Sequence, residues 1–417
     1  MRTRLIAALT VGALGLGPAT ATAAVPANGD SFAPALSCDG RYVLFTSWAT
    51  NLVPGDTNGT SDVFVRDVAA DVTHRVSEGA GHVQANGDSF AGDISCDGRY
   101  VVFSSTASNL VRGDTNRQPD VFIRDRVRGT IRRLSLGPAG RQANAGSIDP
   151  LISADGRVVA FESGASNLVR GDTNGKRDVF VRDRGLARTR RVSVGNGGRQ
   201  ASGGLGGLSG NGRYVTFISR SRALLPAGVS MAVFVRDRGT ARTTLVSRDA
   251  GGAPFDAAGD TAFAPPTAAP VSADGRYVGF LVQGGDFNVT PVEIRDRRQP
   301  ATMDVPSAGG MDRSLAIAGG RLAYWSKGVF ASGLEYCSGQ VYVTGMAGQP
   351  STAVSAPAGV DPCSESEALG GAALSEDGRF AAFDSGATDL VAGDTNGRTD
   401  VFVRELSTGA FTLASTP

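Results

Sequence analysis

The sequence predicts an all-β protein: a single seven-bladed β-propeller whose blades are four-stranded antiparallel sheets, with a six-bladed ring as the alternative. Two repeated landmarks support this prediction. The first is Ser-x-Asp-Gly-Arg followed by an apolar run, and the second, roughly 20 residues later, is Val-Phe-Val-Arg-Asp or a relative of it. A motif pair that recurs along the chain is typical of repeat architectures, in which each unit buries its apolar face against its neighbours.

The first landmark divides the chain into units 1 to 7. Its copies are residues 37–45, 95–103, 153–161, 209–217, 272–280, 318–325 and 375–383, of which the sixth (AGGRLAYW) is a worn copy. Asp-Gly suits the tight turn that joins two twisted antiparallel strands, so each copy predicts a hairpin between a strand a and a strand b. The second landmark predicts strand c, and a short segment such as THRVS at residues 73–77 predicts strand d.

The polarity of these strands predicts how the sheets pack. Strands b and c lack a clean alternation of apolar and polar residues, which is typical of strands buried on both faces. Strand d carries Arg and Thr, as in TIRRLS at residues 130–135. Charged side chains on an outermost strand discourage edge-to-edge pairing. Sheets covered on both faces, with a polar outer edge, predict blades stacked around a ring.

The repeat resembles that of the TolB-like β-propeller family, which has WD-like propeller repeats. The resemblance lies in S-x-D-G-R-Y-V-x-F, as at residues 95–103, followed by D-V-F-V-R-D, and it extends over residues 25–417. It implies a propeller fold with the first motif at the a–b hairpin. It does not fix a function, because the family includes periplasmic interaction scaffolds and the propeller halves of peptidases.

The N-terminal residues 1–24 are predicted to be a signal peptide. Arg2 and Arg4 precede an apolar run at residues 5–16, and the small residues 21–23 (Ala-Thr-Ala) follow it. The apolar run is too short to span a bilayer. We therefore expect cleavage near residue 23 or 24, no membrane insertion, and a secreted or periplasmic protein with residues 25–417 as one propeller domain.

The charge balance argues against some partners. The chain has 41 basic and 40 acidic residues, and Arg alternates with Asp in runs such as VRDR at residues 181–184. Because this pattern predicts no extended positive patch, we expect no nucleic-acid partner. The expected partner is an extracytoplasmic protein, peptide or glycan, bound by a monomer.

The loop between strands b and c contains Gly-Asp-Thr-Asn in units 1, 2, 3 and 7, and each loop ends in a second Asp. Oxygen ligands at alternate positions suit calcium, the one cofactor that the sequence suggests. The loops are similar to those of integrin-type propellers, but they are two residues shorter and lack the central acidic ligand. Asp and Asn also hold tight turns by bonding their own backbone, so both interpretations stay open. The candidate ligands are Asp56, Asn58, Asp62, Asp114, Asn116, Asp120, Asp172, Asn174, Asp178, Asp394, Asn396 and Asp400.

The four cysteines suit an oxidising compartment. Cys337 lies in the b–c loop of unit 6 and Cys363 in the connection to unit 7, two segments that share one face of a propeller, so a Cys337–Cys363 disulfide is predicted. Cys38 and Cys96 occupy equivalent positions before the a–b turns of units 1 and 2. Their Cα atoms must come within about 7 Å to be bridged, so this second disulfide is left open.

No catalytic residue is identified. The two histidines, His74 and His82, fall on a perimeter strand and in a connection, where we expect them to be exposed. Asp30 and Asp88, each in Asn-Gly-Asp-Ser-Phe, are candidates for a metal-assisted site in the central channel, although both could simply order their connections.

The leading functional prediction is an exported, non-catalytic binding scaffold. Its ligand is expected over the channel mouth or on the loops of units 4 to 6, which have lost Gly-Asp-Thr-Asn. The alternative is a metal-assisted extracytoplasmic enzyme, similar to a lactonase or lyase, with its site in the channel.

Overall fold

Strand order follows chain order in every sheet of the computed structural model. The structure describes residues 25–249, 251–254, 269–282, 292–299, 302–305, 311–327, 339–346, 350–356 and 368–417. Within these ranges each sheet is antiparallel and is drawn from a single unit. This confirms the prediction of an all-β propeller with four-stranded antiparallel blades.

Units 1 to 4 each form four strands, a to d, in the predicted order. Their bounds are β1 Ser31–Leu36, β2 Tyr42–Ser47, β3 Asp62–Asp67, β4 Val72–Arg75, β5 Ser89–Ile94, β6 Tyr100–Ser105, β7 Asp120–Asp125, β8 Thr130–Arg133, β9 Ser147–Ile152, β10 Val158–Ser163, β11 Asp178–Asp183, β12 Arg188–Arg191, β13 Gly204–Leu208, β14 Tyr214–Ser219, β15 Ala232–Asp237 and β16 Arg242–Leu245.

Units 6 and 7 also form four strands, and unit 5 has three described strands. Their bounds are β17 Tyr277–Leu281, β18 Val292–Asp296, β19 Thr302–Asp304, β20 Met311–Ala318, β21 Arg321–Lys327, β22 Gln340–Gly345, β23 Thr352–Ala353, β24 Ala368–Leu374, β25 Phe380–Ser385, β26 Asp400–Glu405 and β27 Phe411–Leu413.

Six complete four-stranded blades are therefore present in the described part of the chain, which is the number in the alternative prediction and not the seven of the main one. Ahead of β17, a single bridge pairs Val271 with Val278 where the other units have a strand a. Pro270 lies directly before this bridge. Because proline has no amide hydrogen, it cannot donate to a ladder at this position.

The first and last units pack against each other, so the ring is closed. Val43 and Phe45 of unit 1 lie in one buried cluster with Ala382 and Val403 of unit 7. The backbone amide of Ser31 in unit 1 also donates to a carbonyl oxygen in the b–c loop of unit 7. A similar apolar cluster lies between each other pair of neighbouring units. The core is thus a series of layers between sheets.

The recurrence of both landmarks has a structural reason in the contacts between them. Asp39 accepts hydrogen bonds from Ser37 Oγ at 2.7 Å and from the Arg41 amide at 3.1 Å, which fixes the a–b turn. The Arg41 side chain then donates twice to Asp67 at the end of β3, at 2.9 and 2.8 Å. This paired contact lowers the pKa of the Asp67 carboxyl. Corresponding Arg–Asp pairs join the two landmarks in units 2 to 5, and Arg379 and Glu405 form the pair in unit 7.

The glycine of the turn also contacts the neighbouring unit. Gly98 has φ +68°, and a Cβ atom there would lie 2.0 Å from Cδ2 of Tyr42. The Arg126 guanidinium covers the Tyr42 ring, with Cζ 4.4 Å from the ring centroid. The a–b turn thus requires glycine both for its backbone conformation and for the space that the aromatic ring takes.

Cys38 and Cys96 form a disulfide between units 1 and 2, with their Cα atoms 4.6 Å apart. This decides the pair that the sequence left open. Cys337 and Cys363 lie outside the described residues, as does the segment 1–24, so the second disulfide and the signal peptide stay predictions. No helix among the described residues is long and apolar enough to cross a bilayer.

Candidate functional site

In unit 1 the structure brings together all three residues of the b–c loop that were predicted as ligands. Asn58 Nδ2 donates to Asp62 Oδ2 at 2.8 Å, and Asn58 Oδ1 accepts from the amide of Thr60 at 3.3 Å. Asp62 Oδ1 accepts a hydrogen bond from Ser77 Oγ on the outer side of the blade. The loop is therefore held by its own side chains, which is the turn-forming role that the sequence allowed.

The same loop contains a cation supplied by the blade itself. Arg75, at the end of β4, places Nη1 2.9 Å from Asp56 Oδ1 and 3.4 Å from Asp62 Oδ2. All three side chains are almost fully buried. One guanidinium thus lies against both carboxylates and offsets one of their two negative charges.

Units 2 and 3 repeat this arrangement. Arg133 lies 2.9 Å from Asp114 and 3.0 Å from Asp120. In unit 3 the contacts of Arg191 are 2.8 Å to Asp172 and 3.4 Å to Asp178. These arginines were not among the predicted residues of the loop, because they lie more than ten residues away along the chain, on the strand that the sequence predicts as a polar outer edge.

A glutamine from the next unit completes the loop. Gln84 accepts hydrogen bonds from the amides of Thr57 and Asn58 at 3.0 and 3.1 Å, and its Nε2 donates to the Gly55 carbonyl at 2.7 Å. Gln142 and Gln200 make the corresponding contacts in the next two units. The loops therefore also join neighbouring blades.

Unit 7 keeps the Asp-Asn-Asp triplet but lacks both of these partners. Asn396 Nδ2 still donates to Asp400 Oδ2 at 2.6 Å. Leu413, however, pairs with Phe402 in the register in which Arg75 pairs with its strand c residue in unit 1. Pro26 stands where the repeat has glutamine, in PANGDSF instead of QANGDSF.

The electrostatics of the unit 7 loop follow from these two replacements. Asp394 is only 4% exposed, and neither of its carboxylate oxygens has a hydrogen-bond donor in bonding geometry. Burial raises the pKa of Asp394, and the nearby Asn396 amide only partly offsets this effect. Burial raises the pKa of Asp400 to about 6, with a further contribution from the charges of Asp394 and Asp30.

The structure thus places each candidate calcium triplet in one loop, and the calcium prediction itself stays a prediction. In the described part of the chain, no group of three or more His, Cys, Asp or Glu side chains is arranged to hold a metal. A metal in the unit 7 loop would therefore bind to two carboxylates, with water as the remaining ligand.

The two channel candidates take part in contacts between units. Asp88 Oδ1 accepts from the amide of Ser61 at 3.0 Å, and Asp30 Oδ1 accepts from the amide of Thr399 at 3.1 Å. Both carboxylates therefore tie a connection to the b–c loop of the preceding blade. His82 is exposed on the surface, with Nδ1 2.8 Å from Glu78 Oε1.

One end of the central channel holds a cavity of ≈ 180 Å³. Every unit contributes an aliphatic residue to its wall, namely Leu36, Ile94, Ile152, Leu208, Val271, Ile317 and Leu374. The Cys38–Cys96 disulfide also lines it, and so do Asp93 and Glu376. The Asp93 carboxylate accepts hydrogen bonds from the Ile94 and Ile152 amides at 2.8 and 2.9 Å, and burial raises its pKa to about 6.

A larger groove of ≈ 1150 Å³ runs along the outer edge between units 2 and 3. Gly137, Pro138, Ala139 and Gly140 line one side, and the half-buried Val169, above the core residue Leu168, lines the other. Its charged lining residues are all basic: Arg170, Arg182, Arg188, Arg190 and Arg191.

Three of these arginines are available to a ligand. Arg170, Arg188 and Arg190 are exposed and form no ion pair among the described residues. This positive groove was not predicted from the sequence, because Asp and Arg alternate in runs such as VRDR and their charges cancel in sum. In the fold Asp183 pairs with Arg157 at 3.3 Å. Asp183 also lines a smaller cavity beside the groove, together with Arg188 and Arg190, but it does not line the groove itself.

Comparison with known proteins identifies the architecture. No protein-family model and no curated protein sequence matches this chain. Among solved structures, the β-propeller domain of the Trilobed protease from Pyrococcus furiosus matches with a TM-score of 0.53 at 11% identity, over 92% of this chain and 94% of that one. Oligogalacturonate lyase from Vibrio parahaemolyticus matches with a TM-score of 0.54 at 11% identity, over 91% and 92% of the two chains.

The protein is therefore a β-propeller, and TolB is among the proteins it resembles. TolB from Acinetobacter baumannii matches with a TM-score of 0.41 at 17% identity over 68% of this chain. The chain spans 56% of that TolB and 49% of a prolyl endopeptidase that also matches. The propeller fold predicted from the repeat residues is confirmed by the strand topology and by the matches with TM-scores of 0.53 and 0.54, and identities at this level concern the fold alone.

Proposed function

We propose that the protein is an extracytoplasmic, non-catalytic scaffold that binds an acidic segment of a partner protein in the groove between units 2 and 3. The observation on which this proposal rests is the trio Arg170, Arg188 and Arg190, exposed together in one groove beside the half-buried Val169. Arginine presents a planar set of donors that matches carboxylates in pairs of hydrogen bonds.

The shape of the groove strengthens the effect of these charges. A concave surface of low polarisability focuses the field of like charges that line it, and this raises the local concentration of an anionic ligand. The half-buried Val169 offers apolar contact below the arginines, and Arg188 and Arg190 also line a smaller adjoining cavity of ≈ 170 Å³ together with Asp183. An extended acidic peptide with an occasional apolar residue fits this combination.

The Cys38–Cys96 disulfide supports an extracytoplasmic location, because such bonds persist in oxidising compartments. We propose that residues 1–24 direct export and are removed. N-terminal sequencing of the exported protein tests this, with a new N-terminus at residue 24 or 25 expected. An exported protein that keeps residues 1–24 would contradict it.

The alternative function is a metal-assisted enzyme with its site in the channel. It relied on Asp30 and Asp88, and both carboxylates accept backbone hydrogen bonds from the neighbouring blade.

A binding measurement tests the scaffold proposal. A fluorescent oligoglutamate peptide is titrated with the protein at low and at high salt, and oligoglutamine serves as the neutral control. We expect binding that weakens as salt rises, since exposed charges are screened over about 10 Å at 0.1 M. The variant R170E/R188E/R190E should bind at least about tenfold more weakly, because three attractive charges become repulsive.

Unit 2 offers a matched control. Arg112 and Arg132 stand at the positions equivalent to Arg170 and Arg190, and both are exposed. The variant R112E/R132E should bind the peptide within about twofold of the unchanged protein. Equal loss in both variants would show a non-specific charge effect and would overturn the proposal, as would preferential binding of polygalacturonate over the peptide.

We also infer that the three-stranded sheet of unit 5 is the fifth of seven blades. Val271 of this unit stands in the channel wall, and Phe280 packs against Val233 of unit 4. On its other side Ile294 packs against Leu322 of unit 6. An experimental structure in which unit 4 packs directly on unit 6 would contradict this count.

A further inference from the structure

We propose that the b–c loop of unit 7 is a binding site for a single divalent cation, with calcium the ion that fits it best, and that the corresponding loops of units 1 to 3 are not. The ligands are the carboxylates of Asp394 and Asp400. This site is independent of the arginine groove, which lies on other units.

The chain provides its own comparison for this proposal. Three loops with the same Asp-Asn-Asp triplet each contain a buried guanidinium, from Arg75, Arg133 and Arg191. In the fourth loop the residue at that register is Leu413, which is 5% exposed and belongs to the apolar core between units 6 and 7. The acidic residues are thus present in this loop, and the arginine is absent from it.

The glutamine that assists the other loops is also replaced in unit 7. Gln84 donates to the Gly55 carbonyl and accepts from the loop amides, and it lies 3.3 Å from the guanidinium of Arg75. Pro26 occupies its place beside unit 7 and has no side-chain donor or acceptor. Neither partner that neutralises or ties the other loops is therefore present here.

Asp394 itself supplies the second, independent observation. Its side chain is buried, and both carboxylate oxygens are without a donor in bonding geometry. Burying a carboxylate without a partner is expensive, so such groups are normally paired, protonated or bound to a metal. In the other loops the equivalent carboxylate contacts arginine at 2.8 or 2.9 Å.

The chemistry of the donors selects the type of cation. Both oxygens of Asp394 are free to bind, and Asp400 Oδ2 already accepts from Asn396, which orients that carboxylate toward the loop. Carboxylate oxygens are ligands for hard cations, and calcium tolerates an irregular set completed by water better than magnesium does. Thr395 and Gly397 of the loop are exposed, so water can reach the ion.

The first experiment counts the ions. Protein freed of metal with a chelator is titrated with calcium chloride at neutral pH by isothermal titration calorimetry. We expect a single calcium ion per chain. At a hundredfold excess over the Kd, calcium should raise the Tm by about 3 °C, given the size of the chain.

Two variants test the ligand and the missing counter-ion. D394N should abolish calcium binding and should melt above the metal-free unchanged protein, because it removes the unpaired charge. L413R, which restores the arginine of units 1 to 3, should abolish binding as well. Since Leu413 is buried, L413R can fail to fold, and D394N then decides the test alone.

The converse variant should create a site. R133L in unit 2 removes the guanidinium from a loop that retains both aspartates, so it should bind an additional calcium ion. R132L changes the exposed neighbour on the same strand and should leave the stoichiometry unchanged. No calcium binding by the unchanged protein, or binding that survives D394N, would overturn the proposal. In the first case a proton would balance the buried charge.

Discussion

Arg124 and Glu78 form a buried ion pair across the boundary between units 1 and 2. Arg124 Nη2 lies 2.8 Å from Glu78 Oε1, and Arg124 Nη1 donates to the Glu78 backbone oxygen at 3.0 Å. The arginine belongs to β7, whereas the glutamate lies in the connection that leaves unit 1. In the next two connections Leu136 and Val194 occupy the position of Glu78.

Removing one partner of this pair should be costly. We expect E78A to lower the free energy of unfolding by about 3 kcal/mol, because it leaves the Arg124 charge buried without its carboxylate. Urea denaturation followed by tryptophan fluorescence measures this loss.

The double variant E78L/R124M serves as the control for that prediction. It replaces both charges by apolar groups and should recover most of the stability, since a buried pair contributes little relative to well-packed apolar side chains. A double variant as unstable as E78A would show that shape, not charge, determines the effect.

The glycine of the a–b turn should tolerate no side chain where it faces an aromatic ring. G98A must adopt φ +68° and displace Tyr42, so we expect a loss of about 3 kcal/mol. Gly113 has φ +73°, but no atom lies within 4 Å of the position that a Cβ atom would take there, so G113A should lose only about 1 kcal/mol. Chemical denaturation of the two variants gives the comparison, and equal losses would assign the whole effect to the backbone.

The disulfide between units 1 and 2 should stabilise the ring. Its cysteines are 58 residues apart, and loop-closure entropy for that length gives a stabilisation of about 4 kcal/mol. We expect C38A/C96A to unfold at lower urea by this amount. Unit 3 has alanine at the equivalent position, Ala154, so the substitutions introduce a residue that the repeat already contains there. A variant as stable as the unchanged protein would contradict the estimate.

The raised pKa of Asp93 should make the stability of the protein depend on pH. Its pKa is about 6 in the folded protein, above the ordinary 3.8, because the carboxyl is buried against the channel wall. Between about pH 4 and 6 the folded state therefore binds a proton that the unfolded state does not, and stability falls as pH rises through this window.

The variant D93N isolates this effect. The free energy of unfolding of the unchanged protein, minus that of D93N, should fall by on the order of 2 kcal/mol between about pH 4 and pH 7. Denaturation curves at a series of pH values provide the measurement. A difference that stays constant or rises with pH would show that Asp93 is not the group that titrates.

The sequence predicted the fold well where the residues that determine it lie close together within the repeat. Asp39, Gly40 and Arg41 sit in one turn, and their roles follow from the turn itself. The candidate sites were harder, because their key residues lie elsewhere in the chain. Arg75 is 13 residues beyond Asp62, and only the pairing of β3 with β4 brings it into the loop.

The arginine groove could not be predicted from the even mixture of charges, because strand pairing decides which charged side chains lie together. Asp183 and Arg190 lie close together in a segment of mixed charge. The fold, however, pairs Asp183 with Arg157 and places Arg190 on the outer strand. Net charge over a segment cannot show which side chains are neutralised. That information comes only from strand register.

The closed ring has a consequence for folding kinetics. All interfaces between adjacent blades but one join units that follow each other in the chain. The exception is the interface of units 1 and 7, where the Ser31 amide donates to the Thr399 carbonyl oxygen. That contact has by far the longest sequence separation, so its formation should be the late and slow step. Both described ends of the chain lie on unit 1, where Asn51 binds the Pro26 carbonyl and Arg66 binds that of Pro417. A circular permutant opened between units 3 and 4 would move the slow step to that boundary while leaving every interface intact.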